Sequence, residues 1–180
     1  MSSPLGPELV VDTGPLCHFA EAGWLSALRS IANGRGVVVP DAVEAELRAA
    51  VDRPHVQQVL NAGWIEVRPL ESAAELRAFS QFARRLVVGE RNVGEAAVLA
   101  YASVHSAVAV IDDGAGRRAA RDAAITLRPT LSLLCEGIRE ELFTVAMVND
   151  LVNHLLETEY RLPFPVGGFE RWARENSVIP

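Results

Sequence analysis

The chain has 180 residues, enough for one domain with a substantial core, because a domain of roughly 150 residues buries about 68–70% of its unfolded surface. Its hydrophobic fraction of 49% and charged fraction of 22% are those of an ordinary globular protein, and no run of about 18 apolar residues predicts a membrane span. The net charge of -6 argues against a nonspecific nucleic-acid coat but permits an acidic enzyme site that bound metal neutralises.

Strand and helix patterns alternate along the chain. The predicted elements are a strand at 9–11, a helix at 15–31, a strand at 36–39, helices at 41–50 and 54–62, a strand at 64–67, helices at 72–85 and 95–104, and a strand at 107–111. From 132 onward the chain is predicted to be helical, with a break at 162–168 before a last short helix. This alternation predicts an α/β fold in which helices flank a parallel central sheet.

The N-terminal sequence and the cysteines indicate the cellular compartment in which the protein is expected. MSSPLGPE lacks a basic flank and an apolar core, so we expect no signal peptide and a cytoplasmic protein. Cys17 and Cys135 belong to no CxxC pair or histidine cluster. Buried free thiols are therefore expected rather than a disulfide or a zinc site.

Acidic residues follow two of the predicted strands. Asp12 ends the first strand, and Asp112 and Asp113 end the strand at 107–111. Ligands collect beyond the carboxyl ends of parallel strands, so these side chains are candidates for one shared site. The alternative is structural, since Asp12 can start a turn or cap the following helix and one member of the pair can cap the helix near Gly114. Two adjacent carboxylates repel each other unless a cation lies beside them.

Three glutamates are further candidates. Glu95 starts an apolar helix, either as a site residue or as part of a capping box with Asn92. Glu44 and Glu46 flank the apolar stripe of helix 41–50 on opposite sides, so helical geometry does not choose between them.

Such an acidic cluster, with no histidine, serine or cysteine nucleophile beside it, supplies hard oxygen ligands for Mg²⁺ or Mn²⁺. In-line phosphoryl transfer is the chemistry that uses a site of this kind.

Four segments in order resemble one family: VVDT at 10–13, P-x-x-V-x-x-EL at 40–47, GEAAVLA at 94–100 and VIDDGAGRRAA at 110–120. Over about residues 9–155 the chain resembles PIN-domain proteins, most of all the branch of VapC-type toxin ribonucleases and nucleic-acid-binding PIN proteins. The resemblance implies a Rossmann-like sheet, metal-dependent cleavage of RNA, a homodimer and an antitoxin protein that blocks the site.

The resemblance also implies roles for particular residues. Its metal ligands are, in chain order, Asp12, Glu46, Glu95 and Asp113, with Asp112 as a second candidate beside Asp113. Glu46 is thereby preferred over Glu44. Thr13 matches a small hydroxyl residue that orients a water or the neighbouring carboxylate.

The chain departs from the family pattern in two places. Leu127-Arg128-Pro129-Thr130-Leu131 stands where relatives carry a glycine-rich or small-residue turn that leads to an apolar helix. The tail at 160–180 also matches poorly and forms a C-terminal extension of the one domain. Loops near the site and the C-terminal surface determine which substrates and partners bind, so both departures affect this selection. Arg117 and Arg118, just after the aspartates, are weak candidates for phosphate contacts, with a solvated helix face as the alternative.

The leading hypothesis is thus a Mg²⁺- or Mn²⁺-dependent ribonuclease, the toxin of a toxin-antitoxin pair. Its rival is a noncatalytic module of the same fold that binds nucleic acid or protein. Two other readings are weak. Gly114 and Gly116 fit a dinucleotide fingerprint only superficially, because the motif belongs in the first strand-helix unit. A phosphatase of the haloacid dehalogenase type needs an aspartate at position 14, which is glycine.

Overall fold

The computed structural model describes residues 6–158 and 160–179. Its strands are β1 (Leu9–Val11), β2 (Val37–Val39), β3 (Ile65–Val67) and β4 (Val108–Val110). They form a four-stranded sheet in the order β3-β2-β1-β4, and each neighbouring pair is parallel. The predicted α/β fold with a parallel central sheet is therefore confirmed.

Helices cover the sheet. In chain order they are α1 (Thr13–Glu21), α2 (Leu25–Ala32), α3 (Asp41–Ala49), α4 (Pro54–Leu60), α5 (Ala73–Leu86), α6 (Val93–His105), α7 (Gly114–Asp122), α8 (Thr130–Arg139), α9 (Val145–Glu157) and α10 (Phe169–Glu175). The residues of β1, β2 and β4 are all buried, as expected for strands covered on both faces.

Some predicted boundaries were wrong. The helix expected at 15–31 is two helices, because the chain turns at Gly23 with a φ of +78°, which the missing Cβ permits. Helix α3 starts at Asp41, as predicted, and Pro40 is its N-cap. Gly94 lies inside α6 rather than in the preceding loop.

The sheet topology places the site. The chain runs outward from β1 to β3 and then returns to β4 on the other side of β1, so the strand order reverses between β1 and β4. Crevices at such a reversal hold ligands in open parallel sheets. Val11 is paired with Val110, and the amide of Asp12 donates to the carbonyl oxygen of Val110 at 3.1 Å. Residues that follow these two strands therefore meet at one edge.

Two further expectations concern cysteine and membrane. Both cysteines are free thiols; Cys135 is buried, as predicted, whereas Cys17 is only half-buried. Within residues 6–158 and 160–179, no helix is long and apolar enough to cross a bilayer. The expectation about MSSPLGPE rests largely on residues 1–5, which lie outside the described part of the chain.

Candidate active site

Asp12 enters the site directly from β1. It is the N-cap of α1, yet its side chain makes no capping hydrogen bond. Only 8% of the residue is exposed. The structure therefore does not support the alternative that its carboxylate serves as a helix cap.

Glu46, and not Glu44, lies near Asp12. Glu44 forms an ion pair with Arg48 at 2.6 Å, one turn along α3. Glu46 Oε2 accepts a hydrogen bond of 2.5 Å from Thr13 Oγ1, and its Oε1 accepts one of 2.9 Å from the amide of Gly94. These contacts tie α3 to the starts of α1 and α6.

Glu95 is a buried carboxylate without a capping role. The side chain of Asn92 makes no capping bond and instead donates to the carbonyl oxygen of Leu86 at 3.0 Å, so the predicted capping box is absent. Glu95 is 7% exposed, and its Oε2 has no hydrogen-bond partner among the described residues. A buried polar atom of this kind is rare unless a ligand or water completes it.

Glycine lets the chain approach this carboxylate closely. A Cβ on Gly116 would lie 2.8 Å from Ile111 Cγ2 and 3.2 Å from Glu95 Oε2. Gly116, after Asp113, thus makes room for Glu95. Gly94 has a similar role that was not predicted, because its missing Cβ makes room for Glu46.

The adjacent aspartates have different partners. Asp112 Oδ1 accepts from the Thr130 amide at 2.8 Å, and its Oδ2 accepts from Thr130 Oγ1 at 2.7 Å. Asp113 caps α7, and both of its hydrogen bonds, from Ala115 and Gly116, use Oδ1 alone. Asp113 thus has the less occupied carboxylate. The contact between Asp112 and Thr130 was not predicted, because only the fold brings α8 to the end of β4.

The carboxylates perturb one another. Burial, and after it the charges of Glu95, Glu46 and Asp112, together raise the pKa of Asp12 from 3.8 to about 8. Burial also raises the pKa of Glu95 from 4.5 to about 7, with contributions from Asp113 and Glu46. Perturbation by burial together with like charges is typical of functional sites.

Whether this carboxylate cluster can bind a metal ion depends on the chemistry and the arrangement of its ligand atoms. In the described part of the chain, no three acidic, histidine or cysteine side chains are arranged to hold one ion. Hydrogen bonds to Thr13, Gly94 and α7 hold Glu46 and Asp113 in their present positions. The donors are nevertheless all carboxylate oxygens, one of them buried without a partner, and a hard divalent cation suits such a set.

The two weak candidates for phosphate contacts are placed differently. Arg117 is half-buried and lines a cavity that also contains Asp112 and Asp113. Arg118 is exposed and does not line that cavity. Of these two arginines, only Arg117 lines the cavity that also contains the two aspartates.

No curated protein gives a significant sequence match. The sequence model of a family described as a PIN domain matches residues 8–166, which is most of the chain. The protein therefore belongs to the PIN domain family.

Proposed function

We propose that this protein is a Mg²⁺- or Mn²⁺-dependent endoribonuclease that hydrolyses RNA phosphodiester bonds. PIN domains are typically nucleases, and they generally use divalent metals. The observation that carries the proposal is the buried, unpartnered Oε2 of Glu95 beside Asp12, a carboxylate whose pKa is raised to about 8.

Each carboxylate has a role in the proposal. Asp12, Glu46, Glu95 and Asp113 hold the metal, which when bound activates a water and offsets charge on the leaving oxygen. Thr13 orients Glu46 through its hydroxyl hydrogen bond. Asp112, held by Thr130, supports the end of β4 and acts as a positioning residue. Arg117 is placed to contact a phosphate next to the one that reacts.

The biological setting is a further part of the proposal. From the resemblance to VapC-type proteins, we propose a cytoplasmic toxin that forms a homodimer and is inhibited by an antitoxin protein. Induced expression of the wild type should then arrest growth, whereas expression of Asp12→Asn at the same level should not. Growth arrest by both proteins, or by neither, argues against the toxin role.

Cleavage is tested directly with purified protein and a mixed pool of structured RNAs in Mn²⁺. The controls are the same reaction in a chelator and a reaction with Asp12→Asn. Cleavage that disappears in both controls supports the proposal, because it then requires metal and this carboxylate. Equal Mn²⁺ binding and equal cleavage by Asp12→Asn and the wild type contradict it.

A noncatalytic RNA-binding module is the second candidate. Its support is the cavity beside the aspartates, which is lined by several arginines, together with the Arg128-Pro129 departure from the family pattern. This candidate predicts tight RNA binding that persists in a chelator and no cleavage of any RNA in the pool.

A further inference from the structure

The segment that follows α9 reaches the acidic site. Thr158, the first residue after this helix, donates its hydroxyl hydrogen to the carbonyl oxygen of Leu155 at 2.8 Å. Because that hydrogen is already donated, the Thr158 oxygen accepts a hydrogen bond of 3.2 Å from Nδ1 of His18 on α1. These contacts fix the direction in which the chain leaves α9. Tyr160 then enters a cavity of about 900 Å³ that Asp112 also lines.

Tyr160 lies between α1 and the end of β4. Its ring meets the ring of His18 edge to face, with the centroids 4.9 Å apart. Its hydroxyl is within hydrogen-bonding reach of the side chains of Asp112 and Thr130. Burial and the charge of Asp112 raise the pKa of Tyr160, so the phenol keeps its proton and acts as a donor.

The carboxylate of Asp112 is thereby surrounded by donors. The amide and the hydroxyl of Thr130 each donate to one of its oxygens, at 2.8 and 2.7 Å. The phenol of Tyr160 supplies a third donor from a different segment of the chain. A carboxylate offers about four acceptor sites, so three donors leave little capacity for a metal ion. Asp112 is therefore suited to joining β4, α8 and the segment after α9 rather than to binding metal.

The neighbouring Asp113 depends on such support more than the other carboxylates do. Asp113 is exposed, whereas Asp12 and Glu95 are buried among other side chains. A metal site needs ligands that are held in the productive geometry, and an exposed ligand has fewer contacts to hold it. An immobile Asp112 fixes the peptide bond between the two aspartates and so limits the movement of Asp113.

We propose that Tyr160 is a positioning residue of the metal site: its phenol holds Asp112, and Asp112 in turn orients Asp113 toward the ion. The inference rests on the proposed function, which places a divalent metal at the acidic cluster. It also gives the C-terminal tail at 160–180 a role at the site, because Tyr160 is the first residue of that tail.

Calorimetric titration with Mn²⁺ tests the proposal on the full chain. Tyr160→Phe removes only the hydroxyl and should weaken Mn²⁺ binding roughly threefold to tenfold, the effect of one hydrogen bond. Tyr101→Phe is the matched control, because the Tyr101 hydroxyl also donates to a carboxylate, that of Glu8 at 2.8 Å. Glu8 precedes β1 and so lies at the opposite end of the sheet. Tyr101→Phe should therefore bind Mn²⁺ as tightly as the wild type, even if its melting temperature falls.

A double-mutant cycle separates positioning through Asp112 from general destabilisation. Asp112→Asn removes the charge that the phenol holds. Tyr160→Phe should therefore weaken Mn²⁺ binding much less in the Asp112→Asn background than in the wild type. If Tyr160 acts only on overall stability, the two losses of affinity add instead. Thermal melts of the four proteins show how far each of them is destabilised.

Fluorine NMR provides a readout within the otherwise unchanged chain. The sequence contains two tyrosines, so protein labelled with 3-fluorotyrosine gives two resonances, and Tyr160→Phe assigns them. Mg²⁺ should shift the resonance of Tyr160 and leave that of Tyr101 in place. A Tyr160 resonance that does not respond to saturating Mg²⁺ contradicts the proposal.

The outcomes separate this inference from the proposed function. Wild-type Mn²⁺ affinity in Tyr160→Phe, or an equal loss of affinity in Tyr101→Phe, overturns the inference even when the wild type cleaves RNA in Mn²⁺. A loss that is specific to Tyr160→Phe and disappears in the Asp112→Asn background supports the inference. If no RNA is cleaved in that case, the nuclease is contradicted and the positioning role stands. Absence of Mn²⁺ binding by the wild type contradicts both.

Discussion

The amide of Gly94 donates a 2.9 Å hydrogen bond to Glu46 Oε1, although the two residues are 48 positions apart. A Cβ on Gly94 would lie 2.8 Å from Glu46 Oε2. The absence of a side chain at position 94 therefore determines where this carboxylate sits. The start of α6 and the middle of α3 act as one unit at the site.

Gly94→Ala should fold normally but bind metal weakly. Alanine is the better helix former, and the added methyl group meets the flexible end of a side chain, so the melting temperature should not fall. Displacement of Glu46 should weaken Mn²⁺ binding roughly 10–100-fold, the usual effect of disturbing the support of a ligand. Calorimetric titration with Mn²⁺ measures this. Gly63→Ala is the matched control, because nothing lies within 4 Å of a Cβ there. Wild-type affinity in Gly94→Ala contradicts the role of Glu46.

The two adjacent aspartates should differ in their effect on metal binding. Asp113→Asn should weaken Mn²⁺ binding by at least about tenfold, as expected for a direct ligand, while asparagine still caps α7. Asp112→Asn should have the smaller effect, because the Asp112 carboxylate is engaged by Thr130. Mn²⁺ titration and thermal melts of both variants make the comparison. The opposite order of affinities identifies Asp112 as the ligand.

Stability without metal should fall as the pH rises. The folded-state pKa values of Asp12, about 8, and Glu95, about 7, lie above their ordinary values of 3.8 and 4.5. The native state therefore binds these protons more tightly than the unfolded state does. Their contribution to stability is complete below about pH 4 and is lost as the pH rises through about 7 and 8.

Thermal melts in a chelator between about pH 5 and 9 should show a melting temperature that falls as the pH rises. The Asp12→Asn variant should show a smaller slope of melting temperature against pH. Asp150→Asn, which changes an exposed carboxylate on α9, should leave the slope unchanged. Added Mn²⁺ should raise the melting temperature more at about pH 8 than at about pH 5.5, because metal and protons compete for the same oxygens. A slope that is identical in the wild type and Asp12→Asn contradicts the raised pKa of Asp12.

Ser72→Ala should destabilise the fold without affecting the site. Ser72 Oγ accepts from the Glu75 amide at 3.1 Å, and Glu75 Oε2 accepts from the Ser72 amide at 2.7 Å, which is a complete capping box at the start of α5. Loss of the capping box should lower the free energy of unfolding by about 1 kcal/mol and the melting temperature by about 2–4 °C. Ser80→Ala, on the exposed part of the same helix, is the control. Weaker Mn²⁺ binding by Ser72→Ala would show that the cap and the site are coupled.

The tertiary structure resolved several choices at the site. Helical periodicity placed Glu44 and Glu46 symmetrically about an apolar stripe, and the family resemblance preferred Glu46. The structure shows that Glu46 contacts Thr13 on α1 and Gly94 on α6. The sequence spacing of Asn92 and Glu95 fits a capping box, but the asparagine side chain turns back to Leu86. Local patterns could not decide these cases, because the competing partners lie on distant parts of the chain.

Periodicity and the order of strands and helices were enough to predict the parallel α/β sheet, since burial imposes a period on each element. The family was indicated separately, by the resemblance of four ordered segments. Only the tertiary structure shows that Glu95 Oε2 has no hydrogen-bond partner among the described residues and that Thr130 donates a hydrogen bond to Asp112. It also shows that arginines from four separate segments line one cavity. The reason is physical. Hydrophobic periodicity is a local property of the chain, whereas hydrogen-bond satisfaction and the shape of a cavity depend on which remote segments pack together.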